Sequence, residues 1–224
     1  MIVRRAERYP IESWGGRIRG HPAFILGNGP SLLENDLSLL DGCFSIGINR
    51  IYQVYDPTIL LWQDKELSLK NKKAICDCSS IKVCRDRCNA ENLFTPFSLS
   101  GPSYRISDNP SCLFGYGCSG ALGIEMAVAM GAESITLLGI DCDYTPAGET
   151  DFYGKNKSHN RFTLKNFHNA IRWAADNCPV PIYCCGRAPF WPRYSLLDVM
   201  KILKPVKLGR LQWRRKLRSE SVAD

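Results

Sequence analysis

The segment Gly27-Asn28-Gly29-Pro30-Ser31 is the stretch of this sequence best suited to hold an anion. It follows the apolar run Ala23-Phe24-Ile25-Leu26 and precedes Leu32-Leu33-Glu34, so it reads as a strand-to-helix loop. Gly27 and Gly29 let the backbone come close to a ligand, and Ser31 can offer a phosphate both its hydroxyl and a helix N-terminus. The loop is not a dinucleotide fingerprint, because Leu32 stands where the third glycine is needed, and no Gly-Lys-Ser/Thr follows to make a P-loop. A plain strand-to-helix turn is the competing reading. Asn49 and Asp141 also fall at the ends of strand-like runs. Ligands of an open parallel sheet bind beyond the carboxyl ends of its strands, which gathers Asn28, Asn49 and Asp141 at one edge. Asp141 and Asp143, joined by Asp64, could instead coordinate Mg²⁺; for any one of them the plainer role is to cap a turn. Cys76, Cys78, Cys84 and Cys88 give C-x-C-x5-C-x3-C, enough thiols for zinc. That spacing departs from the usual C-x2-C knuckle, so zinc is the minority reading.

The elements that must position these residues follow from apolar runs and their stops. Buried strands are expected over residues 23–26, 43–48, 58–62, 134–138 and 181–185, with residues 81–84 as one more and 74–76 as a further strand-like piece. The clearest helix covers residues 121–130, with Ser119 suited to its N-cap and Gly131 to its stop. A second helix is expected over residues 162–177, and the polar stretch 142–162 reads as a mobile loop. Strands alternating with helices imply a single-domain α/β fold: a Rossmann-like open, mostly parallel sheet with helices on both faces.

Four segments in order carry a resemblance: Gly27-Asn28-Gly29-Pro30-Ser31-Leu32, Ile48-Asn49-Arg50, Ser119-Gly120 opening a small-residue helix, and Leu138-Gly139-Ile140-Asp141. Over roughly residues 23–200 the chain resembles bacterial lipooligosaccharide sialyltransferases. It is also similar to a wider group that includes archaeal 6-hydroxymethylpterin pyrophosphokinase and phage and prophage proteins. The resemblance implies a transferase, and a cytidine nucleotide held by Asn28, Ser31 and Asn49 with Ser119 and Gly120 against it. It also implies a histidine acting as general base and tyrosines on the leaving phosphate, roles that fall to His159, Tyr144 and Tyr153. Imidazole titrates near neutral pH and suits the first role, while phenols or a helix N-terminus can stabilise a phosphate without metal. His168 is the rival base, inside an expected helix. The sialyltransferases carry an arginine just before Ser-Gly, where this chain has Tyr116-Gly117-Cys118.

The composition suits a globular protein: 45% of the 224 residues are hydrophobic and 23% charged. The net charge of +7 sits at the ends, with +3 in residues 1–20, +6 in residues 201–224 and −2 between them. The division expected is a basic N-terminal segment 1–20, a nucleotide-binding domain 21–203 and a basic tail 204–224. A near-neutral centre argues against a duplex-binding groove, while the tail could hold nucleic acid or an anionic membrane surface, or make a subunit contact in a homo-oligomer. Pro205 and Gly209 interrupt any long helix there. No secretory signal is visible, so a cytoplasmic protein with eleven free cysteines is expected. The apolar run 120–140 is broken by Glu125 and Glu133, against a membrane span. The leading function is thus a nucleotide-sugar glycosyltransferase needing no cofactor. The alternatives are a Mg²⁺-dependent pyrophosphokinase and a non-catalytic nucleotide- or nucleic-acid-binding module.

Overall fold

A computed structural model describes residues 8–89, 92–101, 105–115, 117–156 and 159–218. Eight strands form one parallel sheet: β1 (Pro22–Leu26), β2 (Ser45–Ile48), β3 (Ile59–Trp62), β4 (Ile81–Arg85), β5 (Thr95–Leu99), β6 (Cys112–Leu113), β7 (Ser134–Leu138) and β8 (Ile182–Cys184). Their order across the sheet is β6-β5-β4-β3-β2-β1-β7-β8. The chain steps outward from β1 to β6, then crosses back to lay β7 on the free side of β1, with Phe24 opposite Thr136 and Leu26 opposite Leu138. The order therefore reverses between β1 and β7, the place where an open sheet leaves a crevice.

Every residue of β1, β2, β3 and β7 is buried, as expected of strands covered on both faces. One core contains α3 (Ser119–Ala129) and α4 (Arg161–Asp176). The other contains α1 (Lys65–Lys70), α2 (Lys72–Asp77) and α5 (Leu196–Leu203). Helix α3 is apolar apart from Ser119 and Glu125 and lies directly on the central strands: a Cβ on Gly123 would sit 2.8 Å from Ile25 Cγ2 and 3.2 Å from Ile48 Cδ1. Gly131, at φ +86°, ends this helix in the left-handed region, as its place in the sequence predicts. The carboxylate that breaks the apolar run, Glu125, is fully buried and accepts the amides of Phe114 (2.7 Å) and Gly115 (3.3 Å). Burial raises its pKa, and the two amides offset this only in part. Glu125 thereby fixes the loop that leads into α3.

Several expectations need correction. Residues 74–76 belong to α2 rather than to a strand, because a single buried residue, Ile75, faces the core between exposed lysines and polar groups. Strands β5 and β6 were not expected. Residues 204–218 are not a free tail. Helix α6 (Arg210–Arg218) buries Trp213 and Leu217, with the Trp213 indole N–H on the Gly42 carbonyl at 3.0 Å and its ring 5.1 Å from that of Phe44. Trp14, near the other end of the chain, donates to the Leu217 carbonyl at 3.0 Å. Arg210 pairs with Asp56 at 2.8 Å and Arg214 bonds the Ser79 carbonyl, so part of the positive charge is answered within the fold. Residues 1–7 and 219–224 of the two terminal segments lie outside the described residues. No helix among the described residues is long and apolar enough to cross a membrane.

Candidate functional site

A cleft of about 770 Å³ opens at the carboxyl ends of the strands, over the β1/β7 reversal. Of the residues expected to form a site, Gly27, Asn28, Gly29, Asn49, Ser119, Gly120, Asp141, Tyr153 and His159 line it. Ser31, Tyr144 and His168 do not.

The glycine loop is tight for a reason other than ligand approach. A Cβ on Gly27 would lie 2.3 Å from the Gly139 carbonyl oxygen, and one on Gly29 would lie 2.5 Å from Asp141 Oδ2. The two glycines let the loop after β1 close onto the loop after β7. Asp141, 4% exposed, accepts the Ser31 amide (2.9 Å), the Ser31 hydroxyl and the Arg187 amide (3.0 Å). A carboxylate thus occupies the anion position at the start of the short helical turn Pro30–Glu34, where the sequence suggested a phosphate. Ser31 is therefore a structural partner of Asp141, not a group open to a ligand. Asp141 caps this turn 110 residues away rather than the turn that follows it.

Asn28 is the hub of the first loop. Its side chain donates to the Ile48 carbonyl (2.9 Å) and accepts the Arg50 amide (3.2 Å), which ties the end of β1 to the end of β2. Its carbonyl accepts the Phe152 amide at 2.6 Å, anchoring the turn Asp151–Gly154 above it. The stretch after β7 is therefore held at Phe152, and Thr150 and Asp151 are buried. Asn49 sits at φ +53°, a strained backbone tolerated by asparagine, with its buried Oδ1 lacking a hydrogen-bond partner among the described residues.

The opening of α3 completes one wall. Cys118, not Ser119, is the N-cap residue, and Ser119 is the first helical residue, its hydroxyl accepting from Gln63 Nε2 at 3.2 Å. Gly120 is small because a Cβ would meet Ile171 Cδ1 at 2.9 Å and Ile140 Cδ1 at 3.2 Å, so it serves packing. Burial raises the Cys118 thiol, with the amides of Gly120 and Ala121 opposing. Burial also raises Cys142 well above its ordinary value, the neighbouring Cys118 and Asp141 adding to the shift. Both cysteines are thiols, not thiolates, at neutral pH.

His159 lines the cleft beside a partner the sequence did not single out. Its Nδ1 is 3.1 Å from Oδ2 of Asp151, an ion-pair distance at an angle short of a hydrogen bond. Asp151 is 4% exposed and also accepts the Thr150 hydroxyl at 3.0 Å. On the other side of the ring, Nε2 is 3.4 Å from Asn156 Nδ2, which can only donate. Because the Asn156 amide can only donate, this contact suits a ring whose Nε2 carries the lone pair. Phe167 packs edge-on against the ring at 5.2 Å. Tyr144 stands outside the cleft, its hydroxyl donating to the His159 carbonyl at 2.8 Å. It positions the His159 backbone rather than facing a phosphate. His168 packs on Phe190 instead, 4.1 Å between ring centres.

Tyr153, 36% exposed, carries the guanidinium of Arg50 over its ring at 4.9 Å. Burial, reinforced by Asp151, pushes its phenol up to about 12, so it remains a donor. The signals that could have exposed these missed residues were present. Asp151-Phe152-Tyr153-Gly154 has the Asp-x-x-Gly form of a tight turn, and Arg50 directly follows Asn49. No three His, Cys, Asp or Glu side chains converge as a metal site among the described residues. All eleven cysteines are free; Cys84 and Cys88 are buried, Cys76 and Cys78 partly so, and the adjacent Cys184 and Cys185 are core thiols.

No protein-family model and no curated protein matches the chain. Solved structures do. The MAf glycosyltransferase from Magnetospirillum magneticum AMB-1 superposes with a TM-score of 0.56 at 15% identity, over 96% of this chain and 40% of that one. This chain therefore spans 40% of that protein's length. The sialyltransferase CstII from Campylobacter jejuni aligns in its complex with cytidine-5'-monophosphate at TM-score 0.44 and 18% identity, over 91% of this chain and 89% of that one. Its complex with CMP-3FNeuAc gives 0.46 and 16%, over 90% of each chain. At these identities likeness speaks for fold, and the fold of this chain is the α/β fold shared with the Magnetospirillum glycosyltransferase.

Proposed function

We propose that this protein is a glycosyltransferase that uses a nucleotide-linked sugar, with His159 as general base. The observation that carries the reading is the His159–Asp151 pair, set beside a cleft at the reversal of strand order. In the reaction an acceptor hydroxyl attacks the anomeric carbon of the donor sugar and the bond from that carbon to the phosphate oxygen breaks. The hydroxyl proton passes to Nε2 of His159, displacing the long contact to Asn156, and the nucleotide leaves with the bonding electron pair. Asp151, at ion-pair distance from Nδ1, stabilises the imidazolium that forms. The sequence resemblance makes cytidine monophosphate the first nucleotide to test, and Asn49, with its unpartnered Oδ1, the first residue to suspect of contacting it.

The test has two readouts. CMP, CDP, UDP and GDP are screened for thermal stabilisation, where a ligand at about 100 times its dissociation constant adds about 2.7 kcal/mol. CMP release from CMP-sugars is then followed with candidate acceptors. His159→Ala should lower turnover by roughly 10²-fold or more while retaining the nucleotide-induced shift. Turnover that survives the substitution would remove His159 as the base, and no response to any nucleotide would remove the reading altogether.

A further inference from the structure

A glycosyl transfer that releases a nucleotide develops negative charge on the departing phosphate, and a cation or aligned donors must meet it. The described residues at the opening of α3, Gly117 to Ala121, include none with a positive side chain. Arg50 lies on the cleft wall instead, at the end of β2. Its backbone amide is fixed by Asn28 Oδ1, and its guanidinium is carried on the Tyr153 ring. No carboxylate pairs with it among the described residues. Of the carboxylates lining the cleft, Asp141 is committed to Ser31 and the Arg187 amide, Asp151 to Thr150 and His159, and Glu66 to Lys70. Arg50 and the Asp151–Gly154 turn are both tied to Asn28, so the cation and the carboxylate beside the base are positioned by one hub.

We infer that Arg50, stacked on Tyr153, binds the phosphate of the nucleotide donor. The inference rests on the nucleotide-transfer reading above and assigns the charged group in it. A guanidinium suits the task because it stays charged, offers two parallel N–H donors to a phosphate edge and can stack on an aromatic face at the same time. The stacking limits its rotamers before the ligand arrives, so less freedom is lost on binding.

The experiment compares CMP with cytidine, which lacks the phosphate, by calorimetric titration of the wild type, Arg50→Gln and Arg50→Lys. Arg50→Gln should weaken CMP roughly 10- to 100-fold and leave cytidine unchanged, with Arg50→Lys between the two. Equal losses for CMP and cytidine, or none for CMP, would overturn the inference. Tyr153→Leu is the companion variant should Arg50→Gln fold poorly: it removes the platform, and it should weaken CMP several-fold with cytidine unaffected. If neither CMP nor cytidine binds the wild type, the cytidine reading fails first, and inorganic phosphate becomes the probe. Wild-type phosphate binding that is lost in Arg50→Gln would then sustain the inference, and equal or absent binding in both proteins would end it.

Discussion

Replacing Asp141 with asparagine should cost roughly 2–4 kcal/mol of folding stability, and the figure follows from the three donors the carboxylate accepts. Oδ1 takes the Ser31 hydroxyl and the Arg187 amide, and Oδ2 takes the Ser31 amide. An asparagine keeps one oxygen and turns the other into a donor. Whichever way it is placed, one backbone N–H, of Ser31 or of Arg187, then faces an NH₂ group in a site 4% exposed. A buried donor left unpaired costs about 1–3 kcal/mol, and the remaining bonds lose the strengthening that a charged acceptor gives. For a domain of this size that is a fall in Tm of roughly 5–15 °C, readable by thermal shift and by urea midpoint. Ser31→Ala removes only the hydroxyl and should cost about 1–2 kcal/mol. Should Asp141→Asn unfold within about 1 kcal/mol of the wild type, the capping account is refuted. If the variant instead lost a Mg²⁺-dependent shift, the carboxylate would be a metal ligand.

Further outcomes are expected. Asp151→Asn should lower turnover roughly 10²-fold by leaving the His159 ring unsupported, with nucleotide affinity unchanged; an equal loss of affinity would show that the residue holds the turn and not the reaction. Trp213→Ala should destabilise the protein by about 3–5 kcal/mol in urea unfolding, since the indole is 1% exposed and keyed to the Gly42 carbonyl; a change below about 1 kcal/mol would return residues 210–218 to a loose tail. For Asp56, burial would raise the carboxyl, but the bonds from Ser79, Ser80 and Arg210 outweigh it and hold its pKa below the ordinary 3.8. A depressed folded pKa gives stability that is present above that value and lost as pH falls through the folded one. The acid limb of the wild-type stability profile below about pH 4 should therefore flatten in Asp56→Asn, and an unchanged limb would contradict it. Turnover should persist in EDTA, and its loss there with recovery on added Mg²⁺ would oppose the assignment of phosphate stabilisation to Arg50.

The sequence was most informative where one local rule decided the outcome. The unbroken apolar runs of β1, β3 and β7 and the small residues of α3 admit few other readings, and they place the carboxyl edge of the sheet, where the cleft opens. It was least informative where partners lie far apart in the chain. Nothing near Ser31 says that its hydroxyl is taken by a carboxylate 110 residues on, so a structural bond looked like a vacant phosphate position. The glycines of that loop misled in the same way, because the group approaching them is the backbone after β7. Strand β5 carries Pro96 between Thr95 and Phe97, a residue that weakens strand propensity, and β6 is two residues long. Trp213 and Leu217 stand among charged residues in the sequence, although both side chains are buried in the core. Asp151 lay in a polar stretch with no periodicity to mark its burial.

The order of the sheet also sets a timetable for making the protein. Strand β1 lies near the middle of the sheet, yet its neighbour β7 is separated from it by roughly a hundred residues. At about 5–20 residues per second on the ribosome, β1 waits roughly 5–20 s after emerging before that neighbour exists. Through this interval β2 can cover one side of β1, while the other side offers an open, wholly apolar edge of the kind that recruits foreign strands. Closure needs a long-range parallel pairing, which is slow, and the groups just before β1 and β2 are covered only when Trp213 and Leu217 arrive. Yield of soluble protein should therefore respond to translation speed and to holding chaperones more strongly than its final stability would suggest.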